Sequence, residues 1–372
     1  MKESPISLNR LTAICLSAVC LSAQPLNRCV AQEIRILLDY IKSKDLAIEV
    51  PDGGFTVTRD EGRVEIDEEG TIGLEDGLII RSNDGRHLYW HGKPYRGRLE
   101  IRKIGDGRLG LVNTLELEDY LYGVLASEMD TKTWPLEALK AQAVVSRSYA
   151  RHALPATANA PYQMGADTKH QVYFGAAFED KAARGAVDAT RGEILKDARG
   201  GILPGYFHSC CGGRTEDARF VWSRLASKDS LGVSDFGSCQ TSPHYAWVTS
   251  IPVEDLGKAL VKLGYDFEPP IKSLLIGRLT KSMRVASLKV IAQNNRAEVP
   301  TDKLRQVLGP NWIRSTKITR IARQDKRFVI YGKGWGHGVG LCQWGAKNMA
   351  ERGWDYEKIL RHYFPKARLA KN

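Results

Sequence analysis

The change in hydrophobic spacing at Leu115 constrains the fold of this chain more than any other feature. Before it, residues 33–114 contain short β-rich runs separated by turns such as Asp52-Gly53-Gly54. After it, apolar residues stand at positions 117, 121, 124 and 125, which is the spacing of a helix. The sequence therefore predicts an α+β fold, in which a β-rich N-terminal part precedes a mixed α+β core.

Individual elements follow from the same patterns. The strongest helix prediction covers Pro135–Ala150, which has a proline in its first turn, an early Glu137 and many alanines. Further helices are expected near Val253–Leu263 and over Asp302–Leu308. The predicted strands are Ile34–Leu38, Phe55–Thr58, Gly77–Arg81, His87–Tyr89, Arg98–Ile101, Gln171–Phe174, Val285–Ile291, Ser315–Ile321 and Arg327–Tyr331.

The N-terminal segment resembles a secretory leader. Lys2 and Arg10 precede the uncharged run Leu11–Ala23, which has the length of a leader and is too short for a membrane span. Small residues around Ala31 predict cleavage there; the alternative is an uncleaved anchor. The predicted organisation is a leader at 1–31, a β-rich region at 32–114 and a core at 115–372, of which 250–330 is an α+β subregion.

The formal net charge of +11 indicates a nucleic acid, an anionic surface or an acidic polymer as partner. Export argues against nucleic acid. We therefore expect the charge to help the protein find an anionic envelope, and we expect it in the periplasm, in the cell envelope or secreted. The sequence predicts no oligomeric state.

Four of the seven cysteines follow the leader: Cys210, Cys211, Cys239 and Cys342. In an oxidising compartment, a disulfide from Cys239 to Cys210 or Cys211 is the expected arrangement. The alternative is a zinc site that uses His208, Cys211 and Cys239. Because the segment lacks a Cys-x-x-Cys pair, the sequence favours the disulfide, with no metal and no cofactor.

Glu128 is the candidate acid in this part of the chain. It stands in Ser127-Glu128-Met129, at the predicted C-terminus of a helix. The negative end of a helix disfavours ionisation of a carboxyl group, which is what a general acid needs at neutral pH. The competing interpretation is an ordinary exposed glutamate.

Lys140 and Arg147 lie two helical turns apart on one face of the alanine-rich helix. Ala141 stands four residues after Glu137, and Val144 four residues after Lys140, so the i,i+4 ion pairs of a solvated face are missing. This favours a role in binding substrate carboxylates over a solvated basic face.

A glycine-rich segment at 332–346 contains six glycines. Such a segment permits close approach of the backbone to another group. It lacks the Gly-Lys-Ser/Thr ending of a phosphate-binding loop. His337, between two glycines, is either a groove residue or a packed, hydrogen-bonded histidine.

Several motifs together resemble the stage II sporulation protein D family, which includes the amidase-enhancer proteins. The resemblance spans roughly residues 98–366, and the motifs are specific in combination. The matching segments are 117–124 (LEDYLYGV), 126–129 (ASEM), 134–143 (WPLEALKAQA), 171–175 (QVYFG), 206–209 (YFHS), 212–215 (GGRT), 242–247 (SPHYAW), 334–346 (GWGHGVGLCQWGA) and 359–365 (ILRHYFP).

The resemblance implies an activity. The family includes lytic transglycosylases that cut peptidoglycan glycan strands stripped of their stem peptides, and its catalytic glutamate corresponds to Glu128. The family's basic positions in the following helix correspond to Lys140 and Arg147. Its groove positions, which contact substrate, correspond to Gln171, Tyr173 and His337.

The resemblance also leaves alternatives. The family contains non-catalytic enhancers of a cell-wall amidase, and a purely structural wall-binding module is a further option. Some relatives bind zinc through His and Cys residues placed before the Gln-Val-Tyr motif. Here that stretch reads Asp167-Thr168-Lys169-His170 without cysteine, so this metal site is predicted to be absent.

Overall fold

The structure is a computed structural model that describes residues 32–41, 48–49, 55–59, 76–105, 107–222 and 229–371. The predicted leader at 1–31 lies outside the described residues. Among the helices that are described, none is both long and apolar enough to span a bilayer. By their internal contacts, the described residues of 1–130 and 153–188 form unit 1, and those of 131–152 and 189–372 form unit 2.

Unit 1 is rich in strands, as predicted. A mixed six-stranded sheet has the order β3-β4-β7-β8-β1-β9, and a three-stranded sheet has the order β2-β5-β6. The strands are β1 (Glu33–Tyr40), β2 (Ile48–Glu49), β3 (Phe55–Arg59), β4 (Leu78–Ser82), β5 (Leu88–Trp90), β6 (Lys93–Tyr95), β7 (Arg98–Lys103), β8 (Leu109–Glu116) and β9 (Met164–Gly165). Two helices of this unit are α1 (Leu117–Glu128) and α3 (Lys181–Ala189).

Strand β8 positions the first helix. It pairs antiparallel with both β1 and β7, and six consecutive residues, 110–115, are buried. A strand with consecutive buried residues is covered on both faces, because successive side chains point to opposite sides of the sheet. Because β8 runs directly into α1 without a loop, the start of α1 is fixed by the centre of the sheet.

The described residues of unit 2 form α2, four further helices, one short helix and small sheets. The helices are α2 (Leu136–Ala153), α4 (Arg219–Trp222), α5 (Val253–Lys262), α6 (Thr301–Leu308), α7 (Gln343–Glu351) and α8 (Tyr356–Tyr363). The strands are β10 (Glu193–Lys196), β11 (Phe207–His208), β12 (Ala246–Pro252), β13 (Ser273–Ile276), β14 (Ser287–Ile291), β15 (Arg296–Pro300), β16 (Ile318–Gln324), β17 (Arg327–Lys333), β18 (Leu341–Cys342) and β19 (Arg368–Lys371). Buried apolar side chains between residues 247 and 330 form one hydrophobic cluster, which includes Trp247, Leu260 and Phe328.

The α+β class and the strand-rich N-terminal part are confirmed. Helix α1 belongs to unit 1, because it packs on β8 and β1. The predicted strand at 171–174 is wrong: only an isolated bridge, from Phe174 to Ala176, forms there.

Candidate active site

Glu128 is the last residue of α1, as the sequence predicted. Acidic Glu118 and Asp119 occupy the first turn, where the positive end of the helix dipole favours them. At the other end, Met129 turns into an extended conformation while its N–H still donates to the Leu125 carbonyl at 3.1 Å. The Glu128 side chain is half-buried at this negative helix end.

A backbone amide holds the Glu128 carboxyl group. The Val172 N–H donates to Oε1 at 2.7 Å. This bond fixes the rotation of the carboxyl group at the end of α1.

The segment that carries Val172 is anchored by two main-chain hydrogen bonds just after that residue. Tyr173 N–H donates to the Ala166 carbonyl at 3.3 Å, and Ala176 N–H donates to the Pro94 carbonyl at 2.7 Å. Because both bonds end on main-chain atoms of unit 1, the position of the Val172 N–H is fixed relative to α1.

Within this segment, the side chains of Gln171 and Tyr173 point into the protein interior rather than to the surface. Gln171 is fully buried and its Oε1 accepts from the Tyr120 hydroxyl at 3.2 Å. Tyr173 donates its hydroxyl to Asn113 Oδ1 of β8 at 2.8 Å, and its ring contacts that of Tyr120. Their burial differs from the groove contacts predicted for them. We assign both the role of positioning Val172 and thereby Glu128.

Gly123 permits the close approach of α1 to the same segment. A Cβ atom at this position would lie 2.7 Å from the Tyr173 ring and closer still to the Gly175 carbonyl oxygen. Any side chain here would therefore displace the main chain that carries the Val172 N–H.

Gly123→Ala is therefore expected to destabilise the protein despite the better helix propensity of alanine. Overpacking costs about 1–3 kcal/mol, measured as the free energy of unfolding in urea. The matched control is Gly185→Ala, because Gly185 lies in α3 with open space around it. This control should gain about 0.5–1 kcal/mol. Equal effects of the two substitutions would contradict the close contact.

Lys140 and Arg147 have different environments on α2. Lys140 is partly exposed and its Nζ contacts Glu137 Oε1 at 2.7 Å, an i,i+3 ion pair that the i,i+4 analysis missed. Arg147 is fully buried, and its Nη1 donates to the Glu193 carbonyl at 3.1 Å. The burial of Arg147 differs from its predicted contact with substrate, since a polymer cannot reach it in this structure. Lys140 stays a candidate for substrate binding.

His337 belongs to an aromatic cluster of unit 2. Its ring lies 4.9 Å from that of Trp222 and 5.6 Å from that of His208, centroid to centroid. Its Nδ1 accepts from the Val339 N–H at 3.0 Å. Desolvation, then the neighbouring His208, holds the pKa of His337 well below its usual range, so the ring is neutral at pH 7. His337 is partly exposed and stays a candidate for sugar contact.

The glycines around His337 serve close packing within the chain. Gly338 (φ +86°) has no room for a Cβ, because the Arg284 guanidinium lies directly against it. Gly340 (φ +73°) meets the Tyr206 carbonyl in the same way. The close backbone approach that the glycine-rich segment predicted is therefore present. At these two glycines, the groups approached are Arg284 and Tyr206 of the same chain.

The predicted disulfide is wrong. Cys210, Cys211, Cys239 and Cys342 are all buried and all free. Cys211 Sγ and Cys239 Sγ are 3.5 Å apart, whereas a disulfide requires about 2.05 Å. Cys342 also contacts Cys211, although it lies 131 residues further along the chain. Sequence spacing could not show this contact.

The stretch before the Gln-Val-Tyr motif offers a poor metal site. Asp167 and His170 are exposed, with His170 Nδ1 3.8 Å from Asp167 Oδ1. His170 Nδ1 also accepts from the Gly165 N–H at 3.3 Å. These residues do not fit the His and Cys donor set that the resemblance implies for zinc-binding relatives.

Two functional features were missed by sequence reasoning. The Val172 N–H carries no side-chain signal, because any residue type supplies it. Tyr120 stands in the quoted Leu-Glu-Asp-Tyr segment, and its position three residues after buried Leu117 on the helix was a signal for an inward-facing side chain.

Two family models match parts of this chain. A family model described as "Stage II sporulation protein" matches residues 105–196, which include Glu128, Lys140, Arg147, Gln171 and Tyr173. A second model, described as a domain of unknown function, matches residues 222–340. The latter range encloses the hydrophobic cluster at 247–330.

Three relatives illustrate the similarity. The chain is 34% identical to an uncharacterized protein of Brachyspira hyodysenteriae, over 81% of this chain and 78% of that one. It is 30% identical to the stage II sporulation protein D of Bacillus amyloliquefaciens, over 68% of this chain and 74% of that one. It is also 30% identical to the amidase enhancer of Bacillus subtilis, over 66% of this chain but only 39% of the relative.

Proposed function

The chain belongs to the stage II sporulation protein D family, and on that basis we propose that it is an exported lytic transglycosylase that cleaves peptidoglycan glycan strands. Its substrate would be strands without stem peptides, and Glu128 would be its single general acid and base. The observation that carries the proposal is the half-buried Glu128 carboxyl at the end of α1, held by the Val172 N–H at 2.7 Å.

One carboxyl group suffices for this chemistry. Protonated Glu128 gives its proton to the glycosidic oxygen as the bond from the sugar C1 breaks through an oxocarbenium-like state. The ionised Glu128 then takes the proton of the same sugar's C6 hydroxyl, whose oxygen bonds to C1. The products are a free hydroxyl end and an anhydro end, no water is consumed, and Glu128 is protonated again.

The hydrogen bond from Val172 supports both halves of this cycle. It fixes the rotation of the carboxyl group, so that proton donor and acceptor keep one position. It also stabilises the carboxylate that forms after the first proton transfer. Gln171 and Tyr173 contribute by holding Val172 from below.

The direct test uses purified glycan strands freed of stem peptides. We expect the protein to release fragments with anhydro-muramic ends, identified by mass spectrometry. Strands that retain their stem peptides are the matched control and should be cleaved less. Fragments that end in reducing sugars would indicate hydrolysis and contradict the lytic mechanism.

A non-catalytic enhancer is the second candidate, because one relative is named as an amidase enhancer. Under this alternative, the protein binds the wall and accelerates an N-acetylmuramoyl-L-alanine amidase without cutting glycan. Absence of glycan cleavage, together with faster release of stem peptides by an added amidase, would favour the enhancer.

Export makes a separate prediction. We expect the mature protein in the envelope fraction to begin near Gln32, after removal of the small-residue site at Ala31. N-terminal peptide mass spectrometry measures this directly. An intact Met1 in that fraction would contradict cleavage and favour the uncleaved anchor.

A further inference from the structure

A buried cluster in unit 2 is separate from the chemistry proposed for Glu128. It consists of Cys211, Asp235, Cys239 and Cys342, whose sulfur and carboxylate oxygen atoms all lie within 4.8 Å of one another. All four residues have an exposed fraction of 0%. They come from three segments: the loop after β11, the loop at 235–239, and the residue that caps α7.

The spacing of the cluster fits atoms that share one ion. Two thiolates bound to a tetrahedral Zn²⁺, each at about 2.3 Å, lie about 3.8 Å apart. Cys211 Sγ and Cys239 Sγ are 3.5 Å apart, and Cys211 Sγ is 3.0 Å from Asp235 Oδ2. These distances are much longer than a covalent S–S bond and short enough for a common ligand sphere.

Main-chain amides point at the sulfur atoms. The Gly213 N–H donates to Cys211 Sγ at 3.3 Å. The N–H groups of Cys211 and Gly345 donate to Cys342 Sγ at 3.2 and 3.4 Å. Such hydrogen bonds orient metal ligands.

The carboxylate is oriented in the same way. Cys239 N–H donates to Asp235 Oδ2, and Gly237 N–H donates to Oδ1, each at 3.0 Å. The Asp235 oxygen that faces Cys211 is therefore fixed by the loop, as expected for a ligating carboxylate with a supporting shell.

A buried cation lies beside the cluster. Arg284 is 1% exposed, and its Nη2 donates to the Cys211 carbonyl at 2.7 Å. Within the part of the chain that the structure describes, its Nε and Nη1 have no hydrogen-bond partner. Three thiolates and one carboxylate around Zn²⁺ leave a net negative charge, which offsets the cost of burying this guanidinium.

We propose that Cys211, Asp235, Cys239 and Cys342 bind one structural Zn²⁺ ion. Sulfur-rich tetrahedral donor sets select zinc, and four protein ligands leave no open position for catalysis. The ion joins three segments of unit 2 that are far apart in sequence and so contributes to folding. The Cys210 side chain contacts those of Cys239 and Cys342, but it is not one of the four residues whose ligand atoms all lie within 4.8 Å of one another.

Metal analysis of the purified full chain tests the site. We expect about one zinc per wild-type chain by elemental mass spectrometry. Cys211→Ser and Cys342→Ser should each reduce this to less than about a tenth. Serine is a good helix N-cap, so Cys342→Ser keeps the cap of α7 and removes only the sulfur ligand. The matched control, Cys210→Ser, should keep its zinc.

Two further measurements test the site even if the serine variants fail to fold. Asp235→Cys should retain zinc and hold it more tightly against a chelator, because it completes a four-cysteine site. Wild type reconstituted with Co²⁺ should show a thiolate-to-metal charge-transfer band.

Metal-free wild type with two fewer titratable thiols in denaturant would overturn the proposal in favour of a disulfide. Equal zinc loss in Cys210→Ser would overturn the assigned ligand set. None of these readouts depends on glycan cleavage.

Discussion

Glu128→Gln is expected to lower glycan cleavage by at least about 10²-fold. The amide is close in shape to the carboxyl group and still accepts the Val172 N–H through its oxygen, but it cannot deliver or take the proton. Folding should survive, with a change in the free energy of unfolding below about 1 kcal/mol. The measurement is the initial rate of release of anhydro-muramic ends from stem-free strands.

The matched control is Glu116→Gln. Glu116 is an exposed glutamate at the opposite end of the same helix, without a side-chain capping bond, so the same chemical change there should leave cleavage unaltered. If folded Glu128→Gln cleaves as fast as wild type, Glu128 is not the acid. If wild type itself never cleaves strands yet accelerates an amidase, the enhancer alternative holds.

Arg147→Ala is expected to be much more destabilising than Lys140→Ala, although both remove a basic residue from α2. Arg147 is fully buried, and its removal leaves the Glu193 carbonyl without this donor and opens a cavity. These effects together cost about 2–4 kcal/mol. Lys140 makes a partly exposed ion pair with Glu137, which is worth less than about 1 kcal/mol.

Urea unfolding of the two variants measures this difference, and Arg147→Lys separates charge from shape. Lysine keeps the charge but cannot reproduce the planar donor geometry of arginine, so we expect partial loss of stability. A stable Arg147→Ala with reduced binding to glycan strands would contradict the buried structural role and restore the predicted contact with substrate.

Much of the secondary structure could be predicted from the sequence. The helix predicted at Pro135–Ala150 corresponds to α2 at Leu136–Ala153, and the strands predicted at Ile34–Leu38 and Arg98–Ile101 correspond to β1 and β7. These elements were accessible because hydrophobic period and terminal residues are local signals. The segment at 171–174 failed, because its apolar pattern reflects burial under α1 rather than pairing with a strand.

For the candidate site, the sequence predicted which residues are involved better than it predicted their surroundings. Glu128 could be placed at a helix end because α1 is a local element. Gln171 and Tyr173 could be selected by motif, but their burial against Tyr120 and Asn113 depends on contacts across 51 and 60 residues. Glutamine is exposed in most proteins and tyrosine is often only partly buried. Residue type alone therefore favours a surface position for both, unless a buried hydrogen-bond partner is known.

The sequence by itself determined the α+β class, the helix that ends at Glu128 and the residue types available for chemistry, because each depends on neighbours within a few turns of chain. Only the tertiary structure decided that Arg147 is buried, that the Val172 amide holds Glu128, and that Cys211 meets Cys342. The physical reason is that burial and hydrogen-bond partners are set by long-range packing. Cys211 and Cys342 are 131 residues apart in sequence, a separation at which no local pattern records their contact.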